Sequence, residues 1–154
     1  MPRPRRPDAF AVSLQLADED SMCTLPERVI DRFGALDILV NDAGVISWKP
    51  LFEQDFGELN ARVNVNLLGV MKLTWCFLPL LTDAVITVGS TATLHQSRTP
   101  PPYCATKWGL GGFVKALAVE RPGKRFADVV FRVAAGDIEV APGGDVDMRD
   151  YADE

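Results

Sequence analysis

Two short apolar runs, each ended by a polar turn, constrain the fold of this chain most. They are LDILV (36–40), which NDAG follows, and AVITV (84–88), which GS follows. A continuous apolar run of this length is typical of a strand buried on both faces, as in a parallel sheet. Helical patterns alternate with these runs, which predicts βαβ units, a mainly parallel sheet and flanking helices.

The remaining elements continue this alternation. We predict strands at 9–16 and 127–134, and helices at about 24–34, 56–78 and 103–120. Thr24 and Glu27 have the spacing of a capping box, and Gly34 ends the first helix. Gly111 and Gly112 lie inside the last helix, where each costs about 1 kcal/mol relative to alanine, so we expect close packing there. The domain organisation is then a basic tail (1–8), one α/β domain (9–141) and an acidic tail (142–154).

Charge and composition disfavour several classes of function. The 154 residues carry a net charge of −5, which gives no general reason to expect binding to nucleic acid or to a membrane. The three cysteines are widely spaced and His95 is the only histidine, so we expect no metal site and a reducing, cytoplasmic environment. The longest apolar run contains Lys72, Pro79 and Asp83, which indicates a buried helix and strand rather than a membrane span.

A tyrosine and a lysine that share one helix face suggest chemistry. Tyr103 and Lys107 are four residues apart, so a helix would point both side chains the same way. A nearby ammonium favours the ionised form of a phenol, which then exchanges protons more readily. Asn41 and Ser90 follow the ends of predicted strands, where ligands of parallel sheets bind. The spacing alone occurs by chance in many helices.

Four segments that follow one another along the chain strengthen the interpretation that this tyrosine and lysine act chemically. They are LDILVNDAG, NVNLLGV, ITVGS and YCATKWGL. Together they resemble the short-chain dehydrogenase/reductase family, and the resemblance runs from about Ala11 to Gly136. It implies a Rossmann-like fold that lacks the family's first two strands, and an NAD(P)-dependent interconversion of small-molecule alcohols and carbonyl compounds.

The same resemblance implies roles for individual residues. Tyr103 resembles the catalytic acid/base, Lys107 the residue that holds the nicotinamide ribose, and Ser90 the residue that orients the substrate carbonyl. Asn66 resembles the asparagine of a water-linked proton relay, with Asn64 as the alternative. The residues implied to contact the cofactor are Asn41, Ala43, Gly44, Tyr103, Lys107 and Gly136.

The sequence also departs from the family pattern. It contains no TGxxxGxG segment, the loop whose backbone N–H groups receive the cofactor pyrophosphate. Gln15 stands where the family has an aspartate near adenine, and Asp42 replaces the second asparagine of NNAG. Ala135 and Val140 replace a proline and a threonine of the segment that closes over the nicotinamide. We therefore expect a domain truncated at both ends that binds NAD or NADP weakly.

The missing strands are one reason to expect a partner chain. In a sheet of order 3-2-1-4-5-6, loss of strands 1 and 2 leaves the strand at 36–40 with an unpaired edge. Either segment 9–16 moves beside it or another chain covers it. The resemblance implies a homo-oligomer, or pairing with a related subunit, through the helices at 56–78 and 103–120. Two hypotheses about function remain open: an enzyme, and a non-catalytic remnant that acts by pairing with an intact relative. A third, weaker hypothesis is a binding module that uses the basic N-terminal arm.

Overall fold

A three-stranded parallel sheet is the centre of the molecule. The computed structural model describes residues 9–93, 99–129, 131–134 and 137–140. The strands of the sheet are β1 (Leu36–Asn41), β2 (Leu81–Val88) and β3 (Arg125–Val129), in the order β1-β2-β3. Helices flank them, so the predicted Rossmann-like class is confirmed. The basic and acidic tails lie outside the described residues.

The register of the strands places the apolar core on one face of the sheet. Leu39 pairs with Val85, and Val85 with Phe126, so these three side chains lie side by side on that face. All three are buried, with side chains of the helices packed over them. On the opposite face, Ile38 and Val40 remain 42% and 56% exposed. The helices therefore cover the face of Leu39, and part of the other face is open.

The first helix, α1 (Glu19–Phe33), begins earlier than predicted. Its N-cap is Asp18, whose carboxylate accepts a hydrogen bond from the backbone N–H of Asp20. Thr24 is not the cap, because its hydroxyl donates to the carbonyl of Asp20 within the helix. The predicted end is confirmed, since Gly34 adopts a left-handed φ of 80° and its N–H caps the last turn.

Residues 9–16 do not form the predicted strand. Leu14 and Leu16 instead pack against the hydrophobic core, where they bury apolar surface. In the described part of the chain, β2 is the only strand that pairs with β1. The segment therefore does not pair with this edge as a strand, although Leu14 and Leu16 line a small cavity together with Val40 and Asn41 of β1.

The predicted helix at 56–78 is one helical segment with a change of winding in its middle. It comprises α2 (Phe56–Val63), a π-helical segment (Asn64–Gly69) and α3 (Val70–Phe77). A capping box between Asp55 and Glu58 starts it. Wider π-helical turns are rare and occur mostly as short insertions in α-helices, frequently at functional sites.

The last helix, α4 (Pro101–Glu120), contains three glycines that differ in their surroundings. A Cβ on Gly109 would lie 3.1 Å from the side chain of Leu67, and one on Gly111 would lie 3.3 Å from that of Asp128. A Cβ on Gly112 would have no neighbour within 4 Å. The expected close packing is therefore right for Gly111 and wrong for Gly112.

The predicted strand at 127–134 is two strands. β3 pairs with β2 as far as Val129, which lies opposite the last residue of β2, Val88. Beyond that point β2 offers no further partner, and β4 (Phe131–Ala134) pairs in antiparallel fashion with β5 (Asp137–Val140). Among the described residues, no helix is long and apolar enough to span a bilayer.

The glycines provide a matched test of this packing. A Cβ on Gly69 would lie 2.7 Å from the carbonyl oxygen of Leu16 and 2.8 Å from that of Asn64. We expect Gly69→Ala to lower the free energy of unfolding by about 1–3 kcal/mol, because backbone atoms must move. Gly112→Ala should raise it by up to about 1 kcal/mol through helix propensity alone. Urea unfolding followed by circular dichroism measures both, and equal effects would contradict the packing described here.

Candidate functional site

The carboxyl ends of β1 and β2 and the first turns of α4 meet at one edge of the sheet. Tyr103 and Lys107 lie one turn apart on α4, as the sequence predicts. The Nζ atom of Lys107 lies 5.8 Å from the centroid of the Tyr103 ring. The structure thus brings the predicted pair together, with the cation beside the phenol.

Lys107 is fixed by a backbone carbonyl at the end of β2. Its side chain is buried, with the residue 4% exposed, and Nζ donates a 2.6 Å hydrogen bond to the oxygen of Val88. Burial lowers the pKa of Lys107, whereas the carboxylates of Asp128 and, more weakly, Asp42 act in the opposite direction. An ammonium has three N–H donors, so the bond to Val88 leaves donor capacity at this edge.

Asn66 connects the π-helical segment to the loop after β1. It is completely buried, and its Oδ1 accepts from the N–H of Val45 while its Nδ2 donates to the carbonyl of Val45, both at 2.7 Å. Asn64 is exposed. Of the two asparagines considered for this place, the geometry therefore favours Asn66. Its amide also holds the polypeptide next to Gly44, whose added Cβ would lie 3.6 Å from Oδ1.

Thr106, which no sequence pattern indicated, joins Asn66 to the start of α4. It is buried, accepts from Nδ2 of Asn66 at 3.4 Å, and donates to the carbonyl of Tyr103 at 2.8 Å. A threonine that hydrogen-bonds to the preceding turn is common in helices and does not by itself indicate a site. The sequence feature that could have indicated Thr106 is its position next to Lys107. Asn66, Thr106 and the backbone of Tyr103 form one hydrogen-bonded chain.

The turn after β1 is divided between the interior and the surface. Asn41 is 5% exposed, and its Nδ2 donates to the hydroxyl of Thr74 on α3 at 3.0 Å. Asp42, Ala43 and Gly44 are exposed. The amide group of Asn41 that donates is thus directed toward a helix, and the exposed part of the turn is the part available to a ligand.

Ser90 lies just past the carboxyl end of β2. Ser90 follows Val88 by two residues, and its Oγ accepts a 3.2 Å hydrogen bond from the N–H of Ala92. This bond shapes the start of the loop that leads toward α4. Gly136 lies outside the described residues.

Asn66 and Asn64 form a natural pair for testing this connection. Asn66→Ala removes both hydrogen bonds between a completely buried side chain and the backbone of Val45, so we expect the free energy of unfolding to fall by about 1–3 kcal/mol. Asn64→Ala, at an exposed position, should change it by less than about 0.5 kcal/mol. Thermal unfolding by calorimetry compares the two variants. Similar losses would show that the amide of Asn66 does not hold the loop.

Known proteins share this arrangement of segments. The profile of the short chain dehydrogenase family matches residues 3–141. The mouse protein named dehydrogenase/reductase SDR family member 7 is 32% identical over 129 residues, 79% of this chain and 38% of the mouse protein. The 3-oxoacyl-[acyl-carrier-protein] reductase FabG of Thermotoga maritima is 30% identical over 130 residues, 82% of this chain and 52% of that enzyme.

A solved structure agrees with these sequence relatives. The alcohol dehydrogenase of the archaeon Thermococcus sibiricus, solved in complex with 5-hydroxy-NADP, superposes with a TM-score of 0.70 at 27% identity. The superposition covers 75% of this chain and 50% of that enzyme. The chain spans about half the length of this enzyme and of the FabG reductase. With the family profile covering most of its residues, the chain belongs to the short-chain dehydrogenase/reductase family.

Proposed function

We propose that this chain carries the proton-transfer centre of an NAD(P)-dependent oxidoreductase that interconverts small-molecule alcohols and carbonyl compounds. The observation that carries the proposal is the Lys107 ammonium, held on the carbonyl of Val88 and 5.8 Å from the ring of Tyr103. A buried cation beside a phenol stabilises negative charge on the phenol oxygen. Tyr103 can therefore exchange a proton with a substrate oxygen at this edge of the sheet.

The proposed mechanism assigns one task to each side chain. In reduction, the Tyr103 hydroxyl donates its proton to the carbonyl oxygen of the substrate; in oxidation, it accepts the proton of the alcohol. Lys107 stabilises the phenolate formed or used in that exchange. Ser90, two residues past the Val88 carbonyl, orients the substrate oxygen by a hydrogen bond. Asn66 keeps the loop at Val45 in place and completes the polar connection behind Tyr103.

A nicotinamide cofactor fits the residues of this edge in part. When bound, it supplies or accepts the hydride that accompanies the proton transfer. The N–H donors of Lys107 that Val88 leaves are suited to ribose hydroxyl groups, and the exposed backbone at Ala43 and Gly44 allows close approach. The Thermococcus sibiricus relative, solved with an NADP derivative, supports the same cofactor class.

The phosphate part of the cofactor has no comparable support. The sequence contains no TGxxxGxG loop, and hydrogen bonds to charged groups contribute on the order of 1.5–3 kcal/mol each. Loss of two or three such bonds lowers affinity by a factor on the order of a thousand. We therefore propose that the chain binds NAD(H) or NADP(H) with a dissociation constant of about 1 mM or weaker.

Two lysines provide the test of this proposal. Lys107 and Lys124 both donate to a backbone carbonyl of β2, Lys107 at its carboxyl end and Lys124 to Leu81 at its amino end. We expect Lys107→Met to abolish the quenching of tryptophan fluorescence by NADH and NADPH, because the ribose contact is lost. Lys124→Met should retain it. Equal binding by the two variants would contradict the placement of the cofactor.

Turnover gives the second part of the same test. Tyr103→Phe keeps the ring and removes only the hydroxyl, so we expect nicotinamide-dependent reduction of a panel of ketones to fall by at least about 100-fold. The melting temperature should stay close to that of the unmodified chain. A variant as active as the original would eliminate Tyr103 as the proton donor.

We further propose that two chains associate through the outer surfaces of the helical segment 56–78 and of α4. Trp75 on α3 is 75% exposed and Leu68 in the π-helical segment is 40% exposed. Both line one groove together with Phe113 of α4. Exposed apolar side chains of this size on adjacent helices are typical of a protein interface. Family members are usually oligomers, which supports a homo-oligomer here.

Exposed tryptophans on different parts of the chain test this interface. We expect Trp75→Glu to convert the oligomer to monomer at micromolar concentration, because a carboxylate would be buried at the contact. Trp48→Glu, in the loop after β1 at a site that is 71% exposed, should leave the oligomeric state unchanged. Light scattering coupled to size-exclusion chromatography gives the masses. If the unmodified chain is monomeric, the proposed interface is wrong.

The cysteines support a cytoplasmic location, which we include in the proposal. Cys23, Cys76 and Cys104 are all free thiols. Free thiols persist where glutathione and thioredoxin keep cysteines reduced.

A further inference from the structure

A row of three polar side chains crosses the sheet beside the proposed site. Asn41, Thr87 and Asp128 pair in register, so they lie side by side on the helix-covered face at the carboxyl ends of the strands. Each has one buried oxygen for which the described residues provide no hydrogen-bond partner. Buried oxygens without partners are costly, so this row calls for an explanation.

Asp128 occupies a space that two glycines leave open. A Cβ on Gly89 would lie 2.4 Å from Oδ1 of Asp128, and a Cβ on Gly111 would lie 3.3 Å from Oδ2. Any side chain at Gly89 would displace the carboxylate. The packing of β2 and α4 around these glycines therefore holds the carboxylate in a defined place between the sheet and the helix.

The same geometry brings this carboxylate to the face of α4 that carries Lys107. Gly111 follows Lys107 by four residues on α4, so the two share a helix face, and Asp128 touches that face at Gly111. Lys107 reaches the end of β2 at Val88, and Asp128 lies against the next residue, Gly89. The ammonium and the carboxylate thus approach the end of β2 from the helix and from the neighbouring strand.

Both groups are in surroundings that disfavour their charged forms. Burial lowers the pKa of Lys107 and raises the pKa of Asp128, and for each the other's charge is the largest opposing effect. The further charged group that acts on Lys107 is Asp42, and the one that acts on Asp128 is Lys115. Asp42 and Lys115 are exposed to solvent, which weakens their influence by screening.

We propose that Asp128 is a positioning residue that keeps the buried Lys107 ammonium protonated and directed at the carboxyl ends of β1 and β2. This inference rests on the proposed function for the use of that charge, but the coupling between the two groups does not. Without a counter-charge, a lysine this deeply buried would release its proton more easily and lose its effect on Tyr103.

The test is a titration of Lys107 itself in the intact chain. Lysine labelled with ¹³C at Cε gives one signal for each lysine, and the Lys107 signal is assigned by its loss in Lys107→Arg. In Asp128→Asn we expect the pKa of Lys107 to fall by about one unit, because an opposite charge is removed at nearly constant shape. Asp83→Asn is the control, since Asp83 is on the same sheet but pairs with Arg125. Asp83→Asn should leave the pKa of Lys107 unchanged.

A Lys107 titration that is the same in Asp128→Asn and in the unmodified chain overturns the inference. If Asp128→Asn does not fold, the unmodified chain decides. There the Lys107 signal should show a second inflection at acid pH, where Asp128 takes up its proton, and a single inflection overturns the inference.

The titration separates this inference from the proposed function, because it needs neither cofactor nor turnover. If Asp128→Asn shifts the pKa of Lys107 but the chain shows no cofactor binding and no turnover, the charge coupling is supported and the proposed function is contradicted. If Asp128→Asn leaves the pKa of Lys107 unchanged and the chain is active, the role of Asp128 is overturned and the proposed function is unaffected.

Discussion

The hydrogen bond from Lys107 to the carbonyl of Val88 is the contact on which the arrangement of this edge depends. It ties α4 to the last residue of β2, and it fixes a cation where the parallel strands end. The bond restricts a long side chain that would otherwise retain several rotamers, and hydrogen bonds to charged groups are stronger than neutral ones. Tyr103 obtains its place relative to the cation because both side chains project from successive turns of that helix.

Asn66 performs the corresponding task on the other side of the edge. A single amide uses its donor and its acceptor on one residue of the loop after β1, and reaches Thr106 on α4 as well. Because the Asn66 side chain is completely buried, its amide depends on these protein groups for its hydrogen bonds. The strands, the π-helical segment and α4 are thereby connected through polar contacts at the point where the proposed chemistry takes place, while apolar packing connects them elsewhere.

The sequence predicted those parts of the structure that local patterns determine. The buried strands, the pair of Tyr103 and Lys107 and the helical segment around Asn66 follow from periodicity, spacing and the family resemblance. Segment 9–16 was missed because its pattern fits a strand, whereas packing of Leu14 and Leu16 on the core decided its conformation. Thr106 and Asp128 could not be foreseen, since their importance arises from contacts between residues far apart in the chain.

The π-helical segment also determines how this chain tolerates changes in length. Each residue in an α-helix turns the chain by about 100°. The wider turn at Asn64–Gly69 therefore sets the phase of α3 relative to α2. Because the wider turn holds about one residue more than an α-helix needs for the same rotation, deleting one residue there would restore regular winding and leave Leu73 and Phe77 of α3 facing the core. The segment therefore lets the chain lose one residue between two helices without turning the apolar face of α3 away from the core.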